Sequence, residues 1–240
     1  MPSCYQSVTI RHLLNHTSGV FDYDHLGQGS PDKLILKKNS LHFPPGERYE
    51  YSNSNYVLLS MIIENLSGIP FPEFLQSNIF TPLGMTRTFA YQRQNQKVKG
   101  VAVGYNQFGK DDDYNSPAHF GDGGVYSSVE DLFKWHTALS SEKLVKSSTL
   151  GIAFTPGDVQ IGTSTYGFGW NVGKDANGKF AWHTGNTAGF RAYIQHRLDE
   201  RIAIIILTNT GNSRRIEMAT AINSILHGHP YAPLKKSAAK

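Results

Sequence analysis

The stretch from Asn53 to Leu66 is apolar on every side. Val57, Leu58, Met61, Ile62 and Leu66 recur at helical spacing, and Leu59 and Ile63 fill the remaining faces. A helix of this kind needs other elements packed all around it, so it is expected to be buried on all sides. Gly68 and Pro70 end it. Directly before it the chain turns polar and aromatic, with Tyr49, Tyr51, Ser52 and Asn53. Ser and Asn at that place cap a helix. The same position would also suit residues of an active site held rigid by the helix behind them.

Other elements follow from local signals. Thr9 caps a short helix in "TIRHLLNHTSG", which stops near Gly19. "IPFPEFLQSNIFTPLGM" gives a helix with Pro72 in its first turn, where the missing N–H costs nothing. Ser127 and Glu130 form a capping box for a helix whose Val129, Leu132, Phe133, His136 and Leu139 share one face. After residue 160 the pattern changes. "STYGFGWNVG" alternates, with Tyr166, Phe168 and Trp170 on one side, and an Asn-Gly turn signal in "DANG" leads into "KFAWH". "FRAYIQHRL" and "RIAIIILTN" are two more strands joined at "DE", and "SRRIEMATAINSIL" is a helix with Ile216, Ala219 and Ile222 in line. Strands joined by short turns and followed by a helix make an antiparallel meander with a helix on one face. The chain therefore reads as α+β: a mostly helical region over 1–150, a sheet with a C-terminal helix over 151–228, and a flexible tail over 229–240.

Composition narrows the function classes. The 240 residues are 39% hydrophobic and 18% charged, which suits a folded globular chain. No apolar run reaches the roughly 18 residues of a membrane span, and the opening residues carry no signal-peptide pattern. The net charge of +4 is mild and its basic residues are scattered, without the clustered stripe of a nucleic-acid binder. Cys4 is the only cysteine, so no intrachain disulfide can form. His12 and His16 stand four apart, but Leu13 holds the place where a zinc-protease helix needs Glu, so no metal is expected. The acidic run Asp111–Asp113 lacks the spacing of a calcium loop and reads as a solvated loop. "GDGG" at 121–124 is a turn without the ending of a phosphate loop.

Three pieces stand out together: "HLLNHTSG" (His12 to Gly19), "YSN" (Tyr51 to Asn53) and "HTG" (His183 to Gly185). With "FPPGERYEYSNSNYVLLSMIIENLSG", "NIFTPLGM", "GGVYSSVEDLFKW" and "HTGNTAGF", they resemble the serine β-lactamase and penicillin-binding-protein superfamily, closest to class C β-lactamases, D-alanyl-D-alanine carboxypeptidases and related esterases. The resemblance runs from about Val8 to Leu226. It implies a β-lactamase-like fold and hydrolysis of an amide, peptide or ester through an acyl-enzyme, without metal or organic cofactor, on a small-molecule or peptide substrate. That family uses a Ser-x-x-Lys, a Tyr-x-Asn and a Lys-Thr-Gly box. Tyr51 and Asn53 match the second and His183-Thr184-Gly185 the third, with His183 in place of Lys. By resemblance Tyr51 is the proton-handling base, and Asn53 and Thr184 bind substrate. His183 lies near the substrate carboxylate, Gly185 admits the substrate backbone, and Asn186 donates an oxyanion N–H. A tyrosine with a pKa near 10 serves as base only beside cations or through a proton relay. At an ordinary pKa of about 6.5, His183 would be partly protonated near neutrality, so carboxylate binding would weaken as pH rises through 7.

The family places its Ser-x-x-Lys several tens of residues before "HLLNHTSG", and here only eleven residues precede His12. Three other matches exist: Ser30–Lys33, Ser140–Lys143 and Ser237–Lys240. None opens an apolar helix suited to the centre of a protein, and a motif counts only in its context. Loss of the nucleophile costs about a million-fold in turnover in a serine hydrolase. The reading is an N-terminally truncated member, inactive as given. Truncation is expected to bare the core at Val57, Leu58 and the sheet face, leading to self-association. Three alternatives stay open: a non-catalytic protein binding peptides or cell-wall fragments, one piece of a two-chain enzyme, or a gene remnant. Peptidase, esterase and β-lactamase are not separated by these residues. No compartment follows from the chain; the resemblance implies an exported ancestor, periplasmic or secreted.

Overall fold

A computed structural model describes residues 2–91, 99–110, 120–157, 160–161, 164–187 and 189–234. The acidic run Asp111–Asp113, the Ser237–Lys240 match and the end of the tail lie outside the described residues. The chain forms two compact units: one of Met1–Gln96 with Asn115–Gly173, the other of Lys97–Tyr114 with Lys174–Lys240.

The first unit carries helices α1 (Ile10–Leu14), α2 (Pro31–Lys37), α3 (Asn53–Ser67), α4 (Phe71–Leu75) and α5 (Thr81–Leu83). The pair β1 (Phe89–Ala90) and β2 (Val125–Tyr126) follows, then α6 (Val129–Leu139), α7 (Ser147–Ala153), β3 (Gln160–Ile161) and β4 (Ser164–Tyr166). Thr9 caps α1 as expected: its hydroxyl accepts the His12 N–H at 3.2 Å, and His12 Nδ1 accepts the Thr9 N–H. The helix ends at Leu14, earlier than the sequence suggests, because His16 takes a left-handed φ of 57°.

Helix α3 is the centre of this unit. Its first half is enclosed, with Ser54, Asn55, Val57, Leu58 and Ser60 buried. Tyr5, Leu13, Val20 and Ile35 pack on it from one side. A second cluster of Phe71, Leu75, Phe80 and Met85 takes Ile63. Neither cluster reaches Leu66, which is 80% exposed, so burial all round holds only for the first half. Val57 and Leu58 are 2% and 1% exposed. The expectation that they would be bared is therefore overturned: α1, α2 and the chain around Tyr5 and Val20 already cover them. The stretch from Phe71 to Leu83 is one helical run with a π turn at Gln76–Phe80, and Pro72 lies in its first turn. At α6 the cap is Ser128, one residue later than expected, with its hydroxyl accepting the Asp131 N–H. In this helix Asp131, His136 and Ala138 face inward while Val129 and Phe133 face solvent. Buried Asp131 is fully engaged, accepting from the Arg87 N–H, Thr88 Oγ1 and Lys134 Nζ.

The second unit is the meander. Strand β5 (Asn171–Asp175) crosses the boundary, and β6 (Gly178–Thr187), β7 (Phe190–Arg197) and β8 (Ile202–Thr208) follow in order, antiparallel where β6, β7 and β8 pair. The turn expected at "DANG" sits at Ala176–Asn177, with Gly178 at φ 111°; a Cβ there would meet the Asp199 carboxylate at 2.6 Å. Helix α8 (Arg215–Leu226) lays Ala219 on Tyr193, Ile204 and Ile206. Ile216 and Ile222 do not share that burial. Steps of three residues turn back by about 60° each on a helix, so only the middle member of that line faces the sheet.

At the far end of the strands Arg197 is 1% exposed. It donates twice to Asp175, at 2.6 and 2.8 Å, and once to Glu200 at 2.7 Å, above the Phe180 ring. The hydrogen bonds from Arg197 hold both carboxyls below the usual carboxylate range. Groups so depressed contribute stability above an unfolded pKa of about 4 and lose it as pH falls through their lower folded values. Asp175→Asn should lower the melting temperature by several degrees at pH 7 and flatten the loss of stability below about pH 4, read by thermal melts across pH.

Candidate active site

His16 is fully buried beneath the start of α3. Its Nδ1 accepts the Ser52 N–H at 3.2 Å and faces the Asn55 side-chain amide at 3.0 Å. A ring nitrogen that accepts is unprotonated, so the proton sits on Nε2. The His16 carbonyl accepts the Glu50 N–H, and the Thr17 carbonyl accepts the Gly46 N–H. Ser18 Oγ donates to Asn55 Oδ1 at 2.5 Å. Gly19 lies so close to Phe43 that a Cβ would meet its carbonyl oxygen at 2.1 Å, at a φ of 74°. "HTSG" and "YSN" are thus laced into one frame. Four tyrosines surround His16: Tyr51 at 4.1 Å between ring centroids, Tyr166 at 4.8 Å, Tyr56 at 5.2 Å and Tyr49 at 6.0 Å.

Tyr51 lies against this wall yet stays 42% exposed. Burial, then the nearby Asp122 and Asp22 carboxylates, push its phenol above the usual value. Alone it is a protonated phenol at neutral pH. Asn53 begins α3. Its N–H donates to Asp22 Oδ2 at 2.9 Å, and its side-chain NH2 donates to Asp22 at 3.2 Å and Asp24 at 3.3 Å. Carboxylates only accept, so the NH2 end is committed and Oδ1 is the end presented outward. Burial, with Asp22 and Asp122, raises the Asp24 pKa. Asp122 itself accepts from Tyr23 Oη at 2.6 Å. It is delivered by Gly121, which packs so tightly on α3 that a Cβ would meet the Tyr56 carbonyl at 2.0 Å.

In the second unit the "HTG" residues lie on β6 against β7, with His183 opposite Ile194, Thr184 opposite Tyr193, Gly185 opposite Ala192 and Asn186 opposite Arg191. His183 Nδ1 is 2.8 Å from the Thr184 carbonyl, so that nitrogen carries the proton. Burial draws its pKa below 6.5, more than the carbonyl contact restores. The partial charge expected at pH 7 from an ordinary histidine is therefore reduced. Gly185 and Asn186 are exposed. Arg215 from α8, itself buried, donates to Asn186 Oδ1 at 2.6 Å and to the Ala192 carbonyl at 2.9 Å. Burial and the neighbouring Arg191 pull the Arg215 pKa down. Gly189 closes the β6–β7 turn against Tyr105, whose nitrogen a Cβ would meet at 2.2 Å.

The sequence model of the Beta-lactamase family matches residues 3–227. The chain belongs to the β-lactamase family. Penicillin-binding protein 4* of Bacillus subtilis strain 168 is 34% identical to it over 258 residues, which cover 95% of this chain and 57% of that protein. A D-aminopeptidase of Gluconobacter oxydans strain 621H is 27% identical, over 92% of this chain and 45% of its own. The solved penicillin binding protein from Bacillus halodurans superposes with a TM-score of 0.80 at 27% identity, over 92% of this chain and 73% of that one. The α+β, β-lactamase-like fold expected from the sequence is the one observed. The chain spans about half the length of the curated relatives it matches.

Within that family frame, the two described Ser-x-x-Lys matches sit outside any core. Ser30 and Lys33 are exposed at the start of α2, where the Ser30 hydroxyl bonds Asp32; Ser140 and Lys143 are exposed after α6. Among the described residues no group of three or more metal-ligating side chains is assembled, and no helix is long and apolar enough to cross a membrane. Sequence reasoning missed His16 as the centre of the frame, the carboxylates Asp22, Asp24 and Asp122, and Arg215. "GDGG" offered a signal for Asp122, since two glycines flanking an acid suit a close approach; nothing in "SRRIEM" singles out Arg215. His16→Ala should strip the Ser52 N–H and Asn55 amide of their acceptor and open a cavity among four rings. The expected cost is about 3 kcal/mol, read by urea unfolding.

Proposed function

We propose that the chain carries the Tyr-x-Asn and His-Thr-Gly parts of an acyl-enzyme hydrolase acting on amide, peptide or ester bonds. Family membership and relatives named as penicillin-binding proteins and a D-aminopeptidase support that class. The observation that carries it is the hydrogen-bonded frame joining His16, Ser18 and Asn55 to the Tyr51–Asn53 segment. A frame with so many buried bonds is more than a helix cap requires.

Tyr51 handles the proton. Its raised pKa and its carboxylate neighbours keep it a phenol until a cation, supplied in this family by the Ser-x-x-Lys lysine, lies beside it. Asn53 presents Oδ1, so it accepts from a substrate N–H or from such an ammonium group. Thr184 and His183 meet the substrate along β6, and the Asn186 N–H serves as an oxyanion donor, the type of fixed dipole that contributes most to such catalysis. Gly185 supports this reading: a Cβ there would meet only Ala192 Cβ, at an ordinary 3.4 Å. Packing within the protein does not demand a glycine, whereas close approach of a ligand does.

No described Ser-x-x-Lys sits where it could act, so the 240 residues by themselves bind without turnover, and a segment carrying the nucleophile restores it. Self-association also belongs to this reading. The test is a fluorescent penicillin. Saturable binding without a covalent band on a denaturing gel is the expected outcome; a covalent band on the chain alone overturns the inactivity. Gly185→Ala should leave the fold intact, or stabilise it by about 0.5 kcal/mol, while abolishing binding. Unchanged binding would remove β6 from the site. Any ligand affinity that depends on charged His183 should be weaker at pH 7 than an ordinary histidine would give and should rise as pH falls; isothermal titration from pH 5 to 8 reads it.

A further inference from the structure

Helix α8 ends on a histidine set between two acceptors. His227 Nδ1 is 2.7 Å from the Asn223 carbonyl one turn back, and Nε2 is 2.8 Å from Glu200 Oε1 in the β7–β8 turn. Carbonyl and carboxylate oxygens only accept, whereas a neutral imidazole has one N–H and one lone pair. Both contacts are therefore hydrogen bonds only when the ring carries two protons. The position supports that charge. The last turn of a helix favours a cation, and Gly228 closes α8 directly after it at a φ of 68°.

Both acceptors are anchored to the sheet. Glu200 Oε2 accepts from Arg197 Nε at 2.7 Å, and Arg197 also holds Asp175. Asn223 Nδ2 donates to Gln195 Oε1 at 3.2 Å, and Gln195 is buried on β7. Among the described residues, the charged and titratable groups around the ring come from four places: Glu200 in the turn, Arg197 on β7, Asp175 on β5 and His229 just beyond the helix, its ring centroid 6.2 Å away. Strand β8 carries no charge. The Asn223 carbonyl and Glu200 raise the His227 pKa, against burial and the Arg197 guanidinium.

We propose that His227 is a pH-operated latch, which fastens the last turn of α8 to the β7–β8 turn as an imidazolium and lets it go when the ring loses a proton. Either nitrogen that gives up its proton then turns a lone pair on an oxygen. The folded chain keeps the proton to higher pH than the unfolded chain, whose histidine titrates near pH 6.5. The latch is therefore complete below about pH 6.5 and is lost as pH rises through the raised folded value. Glu200 stays ionised throughout, because Arg197 and then His227 hold its carboxyl low.

Glu200→Gln tests the latch with little change of shape. Arg197 only donates, so the amide oxygen stays with it and the NH2 turns to His227 Nε2, where it suits a neutral ring. NMR titration of the 240-residue chain, with the His227 signal identified by its absence in His227→Gln, should give a pKa above 6.5 that falls in Glu200→Gln. After correction for intrinsic rates, the amides of His227, Gly228 and His229 should exchange at least about tenfold faster above that pKa than below it. In His227→Gln that difference should vanish. A His227 pKa of 6.5 or lower in the unaltered chain overturns the proposal. So does one that Glu200→Gln leaves unmoved, or amide exchange that takes no notice of the ring's titration.

Discussion

A buried imidazole whose Nδ1 must accept is the constraint on which the first unit rests. His16 Nδ1 takes the Ser52 N–H, which fixes the backbone at the very residue between Tyr51 and Asn53. The same nitrogen faces the Asn55 amide one turn into α3, so strand-like chain and helix are locked at one atom. Charging that ring would place a proton where two donors already point. The site geometry therefore requires an unprotonated Nδ1.

The two units use different means to hold polar atoms. In the first unit Asp22 and Asp24 orient the Asn53 amide, while burial, with Asp122 and Asp22, raises the Tyr51 phenol above its usual value. In the second, a buried guanidinium fixes the Asn186 side chain, while burial lowers the His183 pKa. Among the described residues, Lys33 and Lys143 of the Ser-x-x-Lys matches are both exposed. The chain covers about half of its relatives.

Much of the fold was legible because its signals are local. Thr9 as a cap, Pro72 in a first turn, Gly68 as a stop and the Asn177-Gly178 turn each depend on nearby backbone only, and each stands where the residues place it. Periodicity was a weaker guide. It identified α3, α6 and α8 as helices but misjudged their buried faces, since Leu66, Phe133 and Ile216 point to solvent. A pattern records which residues could be buried, not whether a neighbour reaches them. Site residues were legible as motifs, but their partners were not. Asp22, Asp122 and Arg215 reach Asn53, Tyr23 and Asn186 across 31, 99 and 29 positions, and no spacing rule spans such distances.

One guanidinium ties the final helix to two strands. Arg215 grips a side chain at the tip of one strand and a carbonyl on the next, and it projects from the opening turn of the final helix. Any shift of that helix along its axis is thereby transmitted as a tug on the strand tip. Variation in the closing segment of the chain would move the Asn186 side chain without altering a residue of β6.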